Sequence, residues 1–217
     1  QDANVTVFGT KEKWKMLGRS VPASENGNGI HIFARSTFGK GYTLADAYDV
    51  RQTQGRPLKE VHLQNDTRDM ESAMTTLLNY AVCQVVIDKD LDTPAVYDPQ
   101  RMELAINPDY PDHEMFAAIA TAVAHSRLHG KGYNAQYDYA ESNLDAQSVS
   151  YLLCRRFGVE RDLPDTAELP ALYDGWDAQE RRQALDQIQK MSKQIGASME
   201  KSIMPQRSRV PMQHNGR

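Results

Sequence analysis

Cysteine is scarce and long apolar runs are missing. Two cysteines in 217 residues, Cys83 and Cys154, stand far apart among apolar neighbours, so a disulfide-stapled scaffold and a Cys-based metal knuckle are excluded and buried, reduced thiols are expected. No stretch reaches the roughly 18 to 20 apolar residues that cross a bilayer, and the first residues lack the basic-then-apolar order of a secretory leader. A soluble, cytoplasmic protein with no membrane partner is the expectation. Gln1 in place of Met adds the expectation of a piece of a longer polypeptide. Positive charge is thin in the middle: residues 61–165 carry eight Lys+Arg against seventeen Asp+Glu, whereas residues 1–60 carry nine against six and residues 166–217 eight against six. An acidic middle repels phosphate, which leaves any nucleic-acid contact to the flanks.

What is present is enough apolar residue, 40%, for one core with a smaller subdomain attached. Residues 11–17 read as a short helix in which Lys11, Lys13, Lys15 and then Arg19 alternate with Trp14. That set supplies cations for phosphates and a ring for stacking a base, or else a solvated helix whose Trp14 packs on the core. The glycine-rich run at residues 26–29 precedes a strand rather than a helix, so it reads as a turn and not a phosphate cradle. Strands are expected at residues 30–33, within 42–50, at 83–87 as a buried strand, and at 102–106 by the alternation of Met102, Leu104 and Ile106; a helix is expected over 66–79. From Asp177, with Glu180 as its capping-box partner, a long helix runs towards Pro205 on a stripe of Leu185, Ile188, Met191, Ile195 and Met199. Residues 206–217 are polar and basic, without periodicity, and read as a disordered tail.

The densest chemical signal is the run Thr121-Ala122-Val123-Ala124-His125-Ser126-Arg127-Leu128-His129. Pro111 and Asp112 suit its first turn, Phe116, Ile119, Ala120 and Val123 recur at helical spacing, and Gly130 stops it. A zinc hydrolase uses His-Glu-x-x-His on such a helix: residues four apart share a face, so two imidazoles meet one metal while the Glu serves as general base. Two registers fit. In one, His125 and His129 are the pair and Ser126 holds the position of the base; in the other, Thr121 and His125 hold the ligand positions and Ala122 that of the base. Neither has a base. The next helix, residues 139–157 with Val149, Leu152, Leu153 and Phe157 as its stripe, is where a third ligand would come from. Asp138, Glu141 and Asp145 are the acids within reach, so a rearranged zinc site would use His125, His129 and one of these. A helix C-terminus that favours histidine explains the pair without metal. Tyr133, Tyr137 and Tyr139, between the helices, read as a packed connection or the lining of a groove. His31, His62 and His113 have no ligand partner at convincing spacing.

With these elements in order, the chain resembles the ArdC-like and LtrC-like proteins of bacterial conjugative elements. Residues 14–19, Trp-Lys-Met-Leu-Gly-Arg, and residues 47–58 resemble that family's W-x-x-L-G-R element and its F-D-V-x-Q-T-x-G-x-P-L strand end. Residues 96–107 are similar to the approach to its zincin-like domain, residues 146–158 to its A-E-S-V-A-Y-x-V-C-x-x-F-G helix, and Gly175-Trp176 with the capped helix to its ending. The resemblance implies an α+β fold: a partial ArdC-like N-terminal region over 1–60, a zincin-like domain over 61–165, and a helical extension over 166–205. It also implies the second register, since the family's H-E-I-A-H-A-x-L-H aligns Thr121 with the first His, Ala122 with the base and His125 with the second His. On the following helix, Asn143 then stands where the third, acidic ligand is expected, and Gln147 replaces an acid that orients ligands.

Those departures fall together at chemical positions while the apolar and glycine positions match. The expectation is a non-catalytic zincin-like domain, a scaffold or binding module in conjugative DNA transfer or antirestriction, with no cofactor. Single-stranded DNA and other mobile-element proteins are the partners the resemblance implies. A DNA-binding module using Lys11, Lys13, Trp14, Lys15 and Arg19 is the first alternative, and a zinc hydrolase with a rearranged site at His125 and His129, with Asp145, the second.

Overall fold

A computed structural model describes residues 7–35, 42–58, 61–130, 137–165, 167, 171 and 173–203. The expected tail at 206–217, and Tyr133, lie outside these residues. The chain divides into two compact units, residues 1–59 and 60–217, of mixed α and β structure. No helix among the described residues is long and apolar enough to cross a membrane.

In the first unit, β1 (Phe8–Thr10), β3 (Ile30–Arg35) and β4 (Tyr42–Asp49) form an antiparallel sheet in the order β1-β4-β3. Thr10 ends β1 and caps α1 (Lys11–Met16), its hydroxyl accepting from Lys13 N. Helix α1 lays Trp14 inward: the ring is 0% exposed and its Nε1 donates to the Tyr48 carbonyl at 3.0 Å. The base-stacking role expected for Trp14 is therefore corrected. An indole sealed under Tyr48 offers no face to a nucleotide, and its hydrogen bond and burial make it the core of this unit. Two short strands, β2 (Arg19–Ser20) and β5 (Gln54–Gly55), pair antiparallel. Beside them Arg19 donates to the Thr53 hydroxyl at 2.7 Å and the Thr53 carbonyl at 2.8 Å, and also to the carbonyls of Arg56 and Val50. Its donors pin the chain to itself instead of waiting for phosphate. Trp14→Ala is expected to destabilise this unit by about 3 to 5 kcal/mol, the usual consequence of emptying a buried aromatic site; chemical denaturation followed by circular dichroism reads it as an early transition.

In the second unit, β6 (Gln84–Ile87), β7 (Ala95–Asp98) and β8 (Glu103–Ile106) form a sheet in the order β6-β8-β7, with β6 parallel and β7 antiparallel to β8. Strand β6 is an edge, so the expectation of a buried strand is corrected: Val85 is 38% and Ile87 65% exposed. Met102 turns at φ 53° ahead of β8 instead of opening it. Cys154 is buried, but Cys83 only half so.

Helix α2 (Arg68–Leu78) starts on the Thr67 cap. Helix α3 (Asp112–Gly130) is apolar on most of its circumference, as a helix covered on several sides must be. It packs on β7, β8, α2 and α4 (Tyr139–Arg156). The long α5 (Ala178–Ile203) closes over α2 and α4 with Ile188, Met191, Ile195 and Met199, while Leu185 and, on α4, Leu152 line an open cleft at 64% and 42% exposure. Gly158, at φ +66°, ends α4 in the left-handed region, and a Cβ there would run into the His62 ring. That is the physical reason for the glycine at the expected terminator.

Candidate functional site

Helix α3 delivers the run singled out in the sequence to the interior. His125 is 0% exposed, inside the α3–α4 contact. Its Nδ1 lies 2.8 Å from the Tyr137 hydroxyl and its Nε2 3.4 Å from Asn143 Oδ1. With the amide oxygen accepting at Nε2, the neutral imidazole accepts at Nδ1 from the phenol. Tyr139 stacks on the imidazole at 4.0 Å between centroids and 9° between planes. Burial pulls the His125 pKa down to about 4, against a smaller upward pull from Asn143. The ring is therefore uncharged at neutral pH.

His129, one turn on, belongs to the same aromatic packing. Its Nδ1 lies 2.7 Å from the Tyr97 hydroxyl, and its ring stacks on Tyr137 at 4.4 Å and 13°. Tyr97 also reaches Met102 Sδ at 3.2 Å. Burial raises both phenols, Tyr97 to about 12 with help from Cys83 and Asp98, and Tyr137 with help from Tyr97, Tyr139 and Asp138. Each stays protonated beside an imidazole. Two histidines four apart thus each have Nδ1 engaged by a tyrosine, one from the segment before α4 and one from β7.

Thr121 and Ala122 occupy the floor of an open cleft of ≈ 390 Å³ whose walls include Val96 and Tyr97 of β7, Ala117 and Ala118 of α3, Tyr139 and Arg161. The Thr121 hydroxyl turns back and donates to the Ala117 carbonyl at 3.1 Å. Ala122 is 3% exposed. Asn143 faces His125, and Thr121 and Ala122 line the neighbouring cleft with Tyr139, whose ring stacks on His125.

The acids do not join them. Asp138 is the N-cap of α4, accepting from Glu141 N at 2.9 Å, and Glu141 is exposed on the first turn. Asp145 lines a separate cleft of ≈ 420 Å³ between α4 and α5, where it accepts from the Tyr173 hydroxyl at 3.3 Å and burial raises its pKa. Among the described residues, no group of three His, Cys, Asp or Glu side chains stands where it can hold a metal ion. The structure does not bring Asp145 to His125 and His129.

Of the residues considered for nucleic acid, Lys11 donates to Asn26 Oδ1 at 2.7 Å and lies over the Tyr48 ring, Lys13 reaches the Phe8 carbonyl at 3.2 Å, and Lys15 is exposed. Sequence reasoning missed the part played by Tyr97 and the position of Arg161. A tyrosine in a strand and an arginine after a helix terminator carry no spacing signal.

No family model and no curated protein matches this chain. Two solved structures of the antirestriction protein ArdC from plasmid R388 match by fold. The metal-free form gives a TM-score of 0.51 at 15% identity over 90% of this chain and 77% of that one. The Mn(II)-bound form gives 0.52 at 16% over 88% and 77%. The chain shares the ArdC-type mixed α/β fold, and at this identity the likeness speaks for the fold alone.

Proposed function

We propose that this chain is a zincin-like domain without catalytic machinery, serving as a scaffold or binding module in the antirestriction or DNA-transfer system of a mobile element. The observation that carries the reading is the set of residues around His125: a threonine, an alanine and an amide where two metal ligands and a base are required. A divalent ion of the kind bound by the ArdC neighbour finds here His125 Nε2 and Asn143 Oδ1, two neutral donors, and a Thr121 hydroxyl already bonded to Ala117. These do not fit a site that must hold a dication, which wants two imidazoles and a carboxylate at this position. The rearranged hydrolase lacks its acid among the described residues, since Asp145 faces another cleft and no third His, Cys, Asp or Glu stands with His125 and His129.

Partners follow from the same reading. Single-stranded DNA and proteins of the same element are the candidates, and protein partners come first: Trp14 is buried and Arg19 is engaged by backbone carbonyls. The test is cleavage of a mixed peptide pool by the purified chain with added zinc or manganese. The expected result is no metal-dependent cleavage. Metal-dependent cleavage that disappears in His125→Ala would overturn the proposal.

A further inference from the structure

The cleft beside His125 is lined by a half-buried cation that pairs with no carboxylate among the described residues. Arg161 lies in the segment between α4 and α5, and its Nη1 donates to the Ala117 carbonyl at 3.0 Å and to Ser150 Oγ at 2.8 Å. Ser150 Oγ itself donates to the Ala117 carbonyl at 2.7 Å. That carbonyl also receives the Thr121 hydroxyl, so the guanidinium is fastened next to the position from which a metal ligand is missing. The ion pairs of this unit include Lys89–Asp109, Arg101–Glu103 and Arg156–Glu200; among the described residues no carboxylate pairs with Arg161. Partial burial lowers its pKa, against a smaller upward pull from Cys154.

A guanidinium is a fork of five donors that matches a carboxylate in two parallel hydrogen bonds. Nη1 is spent on Ala117 and Ser150, which fixes the plane and leaves the other edge for a ligand. The cleft is small, ≈ 390 Å³, and mostly lined by apolar side chains, at the lower end of small-ligand sites. Glu114 lines it too and is half exposed, so a second negative charge is repelled. One cation against one nearby carboxylate favours a monoanion over a phosphate dianion.

The geometry points to a carboxylate site in this cleft: Arg161 takes the carboxylate of a ligand whose small apolar body lies against Val96, Ala118 and Ala122. The ligand is a free branched-chain acid or the C-terminal residue of an apolar polypeptide. The inference rests on the reading of the cleft as one that binds without cleaving.

The experiment is isothermal titration of the full chain with 4-methylpentanoate and its amide, with acetylated alanyl-leucine bearing a free or an amidated C-terminus, and with inorganic phosphate. Free acids are expected to bind at least about tenfold more tightly than their amides, a difference of one strong charge-assisted pair. Arg161→Gln is expected to erase that difference and Arg161→Lys to keep only part of it. Because Arg161 also braces α3 against α4, Ala118→Phe serves as a second variant: it fills the cleft, leaves Arg161 untouched, and is expected to weaken every acid. A tighter peptide acid assigns the ligand to a polypeptide C-terminus, and a tighter free acid assigns it to a small metabolite; either supports the site. Equal binding of acid and amide, no binding by the wild type, or tighter binding of phosphate overturns it. Zinc content and cleavage of the peptide amide, measured on the same samples, report separately on the absence of catalysis.

Discussion

The triple variant Thr121→His, Ala122→Glu, Asn143→Glu is expected to take up one zinc ion that the parent chain does not. Thr121 precedes His125 by one helical turn, so a histidine there shares its face. Asn143 already points its Oδ1 at His125 Nε2 from 3.4 Å, and a glutamate needs only one methylene more to offer a carboxylate at that spot. Ala122 is buried but borders the cleft, so a glutamate there has the cleft to extend into, towards metal-bound water. Zinc that binds the folded state alone stabilises it by about 4 kcal/mol at a free concentration 1,000 times Kd. Thermal melts with and without zinc, reversed by chelator, measure this. A folded triple variant whose melting ignores zinc would mean that α3 and α4 do not present a vacated ligand set.

Acid is the second large lever. The His125 pKa is near 4 in the folded chain because the ring is buried and neutral, whereas an unfolded histidine titrates near about 6.5. Between those values the unfolded chain binds the proton and the folded one does not. Stability contributed by neutral His125 is therefore complete above about 6.5 and is lost as pH falls towards 4, by an amount on the order of 3 kcal/mol. His125→Gln keeps a planar hydrogen-bonding group but removes the titration. It is expected to be less stable than the parent at pH 7 and to lose less on acidification from 7 to 4.5. Denaturant midpoints across that range check it, and parallel pH profiles for parent and variant would show that His125 does not bind the proton on unfolding.

Much of this fold was legible because helices announce themselves by period and caps. The Thr-Ala-Val-Ala-His run sits between an aspartate at its first turn and a glycine at its last, and α3 ends on Gly130. The site was less legible: spacing on α3 left two registers open, His125 with His129 or Thr121 with His125, and it took the resemblance to the ArdC-like proteins to single out Thr121, Ala122 and, on α4, Asn143. Strand β7 was harder to read. Four residues, Ala95–Asp98, are too short for alternation to separate them from a loop, and the strand is held by pairing with β8, a tertiary fact. The same holds for β1, β2 and β5, of three residues or fewer. Leu152 and Leu185 fit the apolar stripes by spacing yet stay partly exposed, because they line the open cleft between α4 and α5 instead of closing it. Trp14 beside three lysines reads as a core anchor or as a stacking platform, and its burial with the Tyr48 carbonyl at its Nε1 favours the anchor. The tyrosines that engage both imidazoles come from β7 and from the segment before α4, and no local pattern announces such a meeting.

The most direct test of the central claim is the zinc stoichiometry of the untagged chain by elemental mass spectrometry, after equilibration with excess zinc and removal of the free ion, beside the triple variant. The account predicts no retained zinc in the parent and one equivalent in the variant. One equivalent in the parent, lost in a His125→Ala, His129→Ala double variant, would contradict it and make the cleft a working metal centre.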